Sequence, residues 1–363
     1  VRDDLEAIAE RAASGGATVV VGTNGTRLST RRIETLKSAG VKGVAVSVDS
    51  LDAVYHDRFR HGAGSLEATK AAVARCREAG LDVVVQTTVT RGNRDEIPDI
   101  AAWAAGQGAV SFNVYFLVRT GRGEGMAALE PEENDAILAE LLDLEERFRG
   151  RMMVRSKCQP QIMRHVHEAR VHEGGAESPL AAYPTRCPCG VHYARITPDG
   201  KVTPCPYSPV VAGDLAESTF AEIWTGSPVF ERIRSGELGG RCGRCEYREV
   251  CGGCRARAYA ETGDYMAEDP ACAYQPDGSR PLVRPAADVS YGAPARPELA
   301  WSEEAEARMA HIPSFVRGVV TARVEAFAAE RGYGTITPEI LDEVRSTLPV
   351  DFSKKRPFFL SGG

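Results

Sequence analysis

Eight of the ten cysteines in this 363-residue chain lie between positions 187 and 272. They include two close pairs, Cys242 with Cys245 and Cys251 with Cys254, and each pair is separated by only two residues. Such a pair can offer two sulfurs to one metal centre, and the glycines inside these pairs free the backbone for tight turns. Eight thiolates make two four-ligand sites, for which the candidates are Cys187, Cys189, Cys205, Cys242, Cys245, Cys251, Cys254 and Cys272.

Three interpretations of this cysteine pattern compete. Dense disulfide bonding is typical of small secreted domains, and this chain is much longer and has no apolar stretch of membrane length. Two zinc sites and two [4Fe-4S] clusters require the same number of thiolates. The cysteines alone leave these two alternatives open, so the rest of the chain must decide.

Composition excludes several classes of partner. The net charge is -6, and the lysines and arginines are scattered without a basic run or a basic-aromatic stripe. Metal-bound thiols in this number indicate a reducing compartment. We therefore expect a cytoplasmic protein with no nucleic-acid partner and no membrane partner.

The first 156 residues alternate between valine-rich runs and amphipathic segments of helix length. This rhythm predicts an α/β fold in which parallel strands are joined by crossover helices. The predicted strands are 17–22, 43–48, 82–88 and 110–117, and the predicted helices are 30–39, 65–79 and 94–106, with a further helix at 131–149.

Polar residues stand at or near the end of all four predicted strands. Each has an ordinary explanation in turn formation or capping. Because the carboxyl ends of parallel strands carry the chemistry in such folds, the set also predicts a site for a polar nucleoside or amino-acid ligand. These residues are Thr23, Asn24, Ser47, Asp49, Gln86, Thr88, Asn113 and Tyr115.

The phrases TNGTRLS at 23–29 and SVDSLDAVYHDRFRHGAGSLEATKAA at 47–72 resemble the radical S-adenosylmethionine enzymes. The resemblance implies a partial (βα)6 barrel and S-adenosylmethionine as a cofactor. It also implies that Ser47, Asp49 and Gln86 help to hold the ribose or methionine part of that cofactor. We add Asn24 on the same rim as a cofactor-binding residue.

The cluster motif of that family, CxxxCxxC, does not occur in the sequence. The opening VRDDLEAIAE resembles the segment located directly after the family's GGEP motif. We therefore expect a fragment that lacks the first strand, the cluster loop and the second strand, and that is inactive alone; the alternative is a degenerate relative without radical chemistry. Neither Cys76 nor Cys158 can replace the motif, and we interpret both as buried apolar thiols. No catalytic residue is assigned.

Arg119 and Arg122 lie in a glycine-rich loop that follows the fourth predicted strand. A solvated turn is one interpretation. The other is substrate binding, because two guanidinium groups on flexible backbone suit bidentate capture of carboxylates.

A predicted hairpin at Pro198-Asp199-Gly200 returns Cys205 to the neighbourhood of Cys187 and Cys189. The segment 187–275 resembles the SPASM domain, which carries auxiliary iron-sulfur clusters. By this resemblance Cys187, Cys189, Cys205 and Cys254 hold an inner [4Fe-4S] cluster, and Cys242, Cys245, Cys251 and Cys272 hold an outer one. The last close pair, Cys251 with Cys254, is one residue shorter than in the SPASM pattern, and Cys187 and Cys189 are alternative ligands within the inner set.

The remaining residues are predicted as a proline-rich linker, 276–300, and a small helical domain, 301–350. This domain resembles the C-terminal domain of the B subunit of light-independent protochlorophyllide reductase, through Trp301, the run 312–317 and the run 335–337. The resemblance implies contact with a tetrapyrrole, with scaffolding as the alternative. We thus divide the chain into a radical SAM barrel at 1–156, a connecting segment at 157–186, the SPASM domain at 187–275, the linker and the helical domain.

The runs at 202–224 and 242–272 resemble the radical enzymes of alternative haem and haem d1 biosynthesis. The resemblance implies oxidative decarboxylation of a tetrapyrrole side chain, with Arg119 and Arg122 on a propionate. It also implies an electron donor such as a ferredoxin or flavodoxin. The alternatives are a SPASM maturase that modifies a ribosomal peptide, and a non-catalytic electron-transfer or zinc-binding protein.

Overall fold

The computed structural model describes residues 3–173, 187–284, 297–310 and 314–346. They form two compact units. The first contains the described residues of 1–114, 143–155 and 291–363, and the second contains those of 115–142 and 156–290. No described helix is long and apolar enough to cross a membrane.

Five strands form one parallel sheet, in which they lie side by side in chain order. Val44, Val46 and Val85 have no exposed surface, as expected for parallel strands covered on both faces. The first four strands confirm the sequence prediction. The fifth was not predicted, because Val154 is its single buried residue and no apolar run marks it. The strands are β1 Val19–Thr23, β2 Val41–Ser47, β3 Asp82–Val89, β4 Ser111–Phe116 and β5 Met153–Lys157.

Six helices accompany these strands. The helix after β1 begins where the Ser29 hydroxyl accepts a hydrogen bond from the Arg32 amide at 3.2 Å. The two-turn helix Ala53–Arg60 was not predicted, although its N-cap residue Asp52, which accepts from the Val54 amide at 2.9 Å, could have marked it. The helices are α1 Leu5–Ser14, α2 Thr30–Ser38, α3 Ala53–Arg60, α4 Ser65–Glu78, α5 Ile97–Gly106 and α6 Pro131–Arg147.

The second unit carries short elements around a small antiparallel sheet. The predicted hairpin is confirmed, since the two strands flanking Pro198-Asp199-Gly200 pair antiparallel. Gly213 lies so close to Ile223 that a Cβ there would stand 2.7 Å from its side chain, so the third strand requires glycine. The elements are α7 Ile162–Glu173, β6 Arg195–Ile196, β7 Lys201–Thr203, β8 Gly213–Asp214, α8 Phe220–Gly226, α9 Pro228–Ser235, α10 Gly240–Arg244 and α11 Arg255–Thr262.

The C-terminal segment has a small apolar core of its own, formed by residues such as Val324, Ala328 and Ile336. The buried carboxylate of Glu325 accepts hydrogen bonds from the amides of Glu298 and Leu299 at 3.0 Å and from the Trp301 indole at 2.8 Å. One side chain therefore fixes the entry of the chain into this segment. The elements are β9 Ala300–Trp301, α12 Glu303–Ala310, α13 Ser314–Glu330, β10 Thr335–Ile336 and α14 Pro338–Ser346.

We predict that Glu325→Ala loosens this entry, because three donors lose a charged acceptor. Bonds to charged groups contribute about 1.5–3 kcal/mol each, so amide exchange at Glu298 and Leu299 should accelerate roughly tenfold or more. Hydrogen exchange with mass spectrometry measures this directly. Glu330→Ala, on the exposed end of the same helix, is the matched control, and equal exchange in the two variants would contradict the assigned role.

Candidate functional site

Four cysteines of the second unit come together as the inner cysteine group, which we define as Cys187, Cys189, Cys205 and Cys254. They pack into one cluster, in which Cys189, Cys205 and Cys254 are buried. Cys205 follows β7, and Cys254 is the N-cap residue of α11. The structure therefore brings together the set that the SPASM resemblance assigns to one cluster.

The thiols of this group differ in how readily they lose a proton. A hydrogen bond between Cys187 and Cys189 lowers the pKa of Cys187 to about 6 and raises that of Cys189. Burial raises the pKa of Cys254 to about 12. The thiolate is the form that binds metals, so loading this group with a metal must release protons.

Cys158 corrects one of our expectations. We interpreted it as a buried apolar thiol, yet it is only partly buried and packs against the inner cysteine group. Cys76 is placed as expected, with no exposed surface on α4, and burial raises its pKa to about 11. The two cysteines outside the SPASM pattern thus lie in different surroundings.

The outer cysteine group, Cys242, Cys245, Cys251 and Cys272, lines a single cavity of the second unit. Gly253 lies against this cavity with φ +67°, and a Cβ there would stand 3.1 Å from the Cys242 sulfur. Three residues donate to these sulfurs: Asp269 N to Cys242 at 3.4 Å, Gly253 N to Cys251 at 3.5 Å and Arg255 Nη2 to Cys242 at 3.9 Å. Such N–H···S bonds stabilise thiolates and raise the potential of a bound cluster.

A buried ion pair joins the two groups. Arg257 contacts both carboxylate oxygens of Asp269, at 3.2 and 3.1 Å. The same carboxylate accepts from the Cys254 amide at 2.7 Å, whereas the Asp269 amide donates to the Cys242 sulfur. Asp269 therefore fixes one residue of each cysteine group. The sequence did not predict the pairing of Arg257 with Asp269, because neither residue belongs to a motif with a characteristic spacing.

In the structure, the cysteines of each group are neighbours, but their sulfurs are not placed as the ligands of a single metal ion would be. Within the described residues, no three His, Cys, Asp or Glu side chains are arranged to hold a metal ion. What fits an iron-sulfur cluster is the chemistry of the donors: two sets of four thiols, one lining a cavity with a glycine at its wall.

The sheet brings two of the predicted cofactor residues side by side. Ser47 ends β2 and pairs in register with Gln86 of β3, and both are half-buried. Asn24 is exposed after β1, and its side-chain oxygen accepts from the amide and hydroxyl of Thr26 at 3.3 and 3.0 Å. Asn24 and Ser47 lie at the carboxyl ends of β1 and β2, and Gln86 lies three residues before the end of β3.

Asp49 has a different position. It is fully buried, and its carboxylate accepts from the Thr88 amide at 2.9 Å and from Arg60. Its own amide donates to His56 Nδ1 at 3.2 Å. Asp49 therefore ties the end of β2 to β3 and α3, so it positions this edge through contacts within the protein.

The predicted arginines also differ in what the structure shows. Arg119 forms a two-pronged ion pair with Glu261 of α11, with Nε at 2.8 Å from Oε1. This contact raises the pKa of Arg119. A substrate carboxylate would have to replace Glu261 at this guanidinium. The side chain of Arg122 lies outside the described part of the structure.

Known families cover three parts of the chain. Residues 1–104 match the Radical SAM superfamily, residues 187–255 match SPASM, described as an iron-sulfur cluster-binding domain, and residues 301–345 match the proto-chlorophyllide reductase 57 kD subunit. An AdoMet-dependent heme synthase of Methanosarcina barkeri is 38% identical over 280 residues, which cover 76% of this chain and 80% of the relative. The chain belongs to the radical SAM enzymes.

Two further comparisons concern its sequence and its fold. A pre-heme d1 synthase of Dinoroseobacter shibae is 30% identical over 75% of this chain and 71% of its own length. The crystal structure of Streptococcus suis SuiB bound to S-adenosylmethionine is similar in fold, with a TM-score of 0.56 at 14% identity, over 75% of this chain and 63% of SuiB. Radical SAM and SPASM domains use [4Fe-4S] clusters and S-adenosylmethionine, which are the cofactors of this chain.

We predict that Gly253→Ala disrupts the outer cysteine group. Alanine at φ +67° is strained, and its Cβ would collide with Cys242 and with the Asp269 side chain at 2.8 Å. Iron bound per chain after anaerobic reconstitution should fall clearly. Gly263→Ala is the matched control, because Gly263 has φ +77° with no atom within 4 Å of its Cβ position. Equal iron loss in both variants would show that backbone strain, and not the contact with the cysteine group, is responsible.

Proposed function

We propose that this radical SAM enzyme oxidatively decarboxylates a propionate side chain of a tetrapyrrole in haem-type cofactor biosynthesis. The observation that carries the proposal is the 38% identity to an AdoMet-dependent heme synthase over 80% of that relative. The 30% identity to a pre-heme d1 synthase supports the same substrate class. The match of residues 301–345 to a protochlorophyllide reductase subunit is a third link to tetrapyrroles.

The proposal assigns one auxiliary [4Fe-4S] cluster to each cysteine group of the second unit. When bound, the cofactors supply hydrogen-atom abstraction and electron transfer. The protein's own contribution is to hold the thiolates, to exclude water by burial and to donate N–H···S bonds from Gly253 and Asp269. A ferredoxin or flavodoxin is the proposed electron donor.

In the first unit, we propose that Asn24, Ser47 and Gln86 bind the polar part of S-adenosylmethionine and that Asp49 holds the strand ends in place. The five-stranded parallel sheet supports a partial (βα)6 barrel. The proposed domains are the barrel at 1–156, a connection at 157–186, SPASM at 187–275, a linker at 276–300 and the helical domain at 301–350. Because the sequence contains no CxxxCxxC, we propose that this chain does not cleave S-adenosylmethionine alone.

The direct test uses the protein encoded by the whole gene, reconstituted anaerobically with iron, sulfide and S-adenosylmethionine. It is offered a panel of siro- and coproporphyrin-type substrates, and the products are analysed by mass spectrometry. We expect loss of carbon dioxide and two hydrogen atoms per propionate converted to vinyl. Clusters without any porphyrin product, but with a modified ribosomal peptide, would favour a maturase; a zinc-loaded protein without iron would contradict the enzyme.

We predict that Arg119 and Glu261 act in opposite directions on tetrapyrrole binding. Arg119→Ala removes a carboxylate partner and should weaken the binding of iron coproporphyrin, whereas Glu261→Gln releases Arg119 and should strengthen it. A change of roughly tenfold in Kd corresponds to about 1.4 kcal/mol, as expected for one charged contact. Absorbance titration of this chain measures both values.

Arg232→Ala is the control, since Arg232 forms a comparable exposed ion pair with Asp264 in the same unit. If all three variants bind iron coproporphyrin as the parent does, the propionate role of Arg119 is wrong.

A further inference from the structure

Five cysteines, and not four, gather at the inner site. Cys158 packs against the same cluster that contains Cys187, Cys189, Cys205 and Cys254. A [4Fe-4S] cluster with full cysteine ligation takes four thiolates. The inner site therefore offers one thiol more than a cluster needs, and the SPASM spacing accounts for only four of them.

The backbone of Cys158 is held in an unfavourable conformation. Among the described residues, only Cys158 and His61 combine a positive φ with a side chain, and Cys158 has φ +61°. It is the first residue after β5, whose last residue is Lys157. A non-glycine residue persists in the left-handed region only where its surroundings impose it, and such residues cluster at functional sites.

The contact that holds Cys158 in this conformation comes from another residue of the second unit. Arg257 donates from Nη2 to the carbonyl oxygen of Cys158 at 2.7 Å and is in turn fixed by Asp269. The buried ion pair that fixes the Cys254 amide thus also fixes Cys158. Two thiols of the site, 96 positions apart in the chain (254 − 158), are positioned by one guanidinium-carboxylate pair.

Two of the other cysteines at the inner site form a close pair. Cys187 and Cys189 are separated only by Pro188, whose ring fixes φ and restricts how far the two thiols can spread. Cys187 packs against the same cluster of side chains as Cys189, so the two thiols lie close together, and Cys189 also has Cys205 as a neighbour in that cluster. Because the two thiols lie so close together, we expect only one of them to bind an iron atom of the cluster.

We propose that Cys158 is a ligand of the inner cluster, and that Cys187 and Cys189 supply one ligand between them. The four ligands are then Cys158, Cys205, Cys254 and one of the adjacent pair. This inference rests on the proposed assignment of a cluster to the inner cysteine group.

The test is anaerobic reconstitution of this chain and of Cys158→Gly, with iron analysis and electron paramagnetic resonance of the reduced protein. Glycine accepts the left-handed backbone, so this substitution removes the thiol without adding strain. We expect Cys158→Gly to lose the inner-cluster signal and about half of the iron, and Cys205→Ala should do the same. Cys76→Ser, at the buried cysteine of α4, should match the parent.

Cys158→Ser is the second variant, since it keeps the side-chain volume and offers an oxygen ligand. It should retain a cluster whose resonance spectrum differs from that of the parent. Of Cys187→Ala and Cys189→Ala, one should retain the parent spectrum. The inference is overturned if both Cys158 variants have the iron content and spectrum of the parent; a parent chain that binds no iron would instead refute the proposed function.

Discussion

The buried ion pair between Arg257 and Asp269 is the contact on which the cysteine-rich unit depends. Both charges are removed from water, which is costly unless every charge is paired and hydrogen-bonded. Here Arg257 also donates to the carbonyls of Leu117 and Cys158, and Asp269 accepts from the Cys254 amide and Gln161. Both charged groups of the pair therefore have hydrogen-bond partners besides each other. Through these bonds the pair holds together residues that are far apart in the sequence.

In each of the two units, a buried carboxylate positions the residues that are proposed to bind a cofactor. In the first, the buried carboxylate of Asp49 joins the end of β2 to Thr88 and Arg60, so that Ser47 and Gln86 stand in register at the sheet edge. In the second, the buried carboxylate of Asp269 joins Cys254 to the neighbourhood of Cys242. In both, a carboxylate with no contact to solvent positions the groups proposed to contact a cofactor.

Much of the molecule could be predicted from the sequence. Valine-rich runs marked four of the five strands, and Pro198-Asp199-Gly200 marked the hairpin, because these signals are local. The strand β5 has no apolar run, so only its pairing with the sheet reveals it. Cys158, Arg257 and Asp269 could not be assigned either, since their roles arise from tertiary contacts between distant parts of the chain.

The central claim is that the two cysteine groups each hold an iron-sulfur cluster. Mössbauer spectroscopy of the anaerobically reconstituted chain, combined with analysis for iron, sulfide and zinc, tests it most directly. We predict two [4Fe-4S] spectra of equal area and roughly eight irons per chain. A colourless chain that retains stoichiometric zinc and binds no iron would contradict the claim.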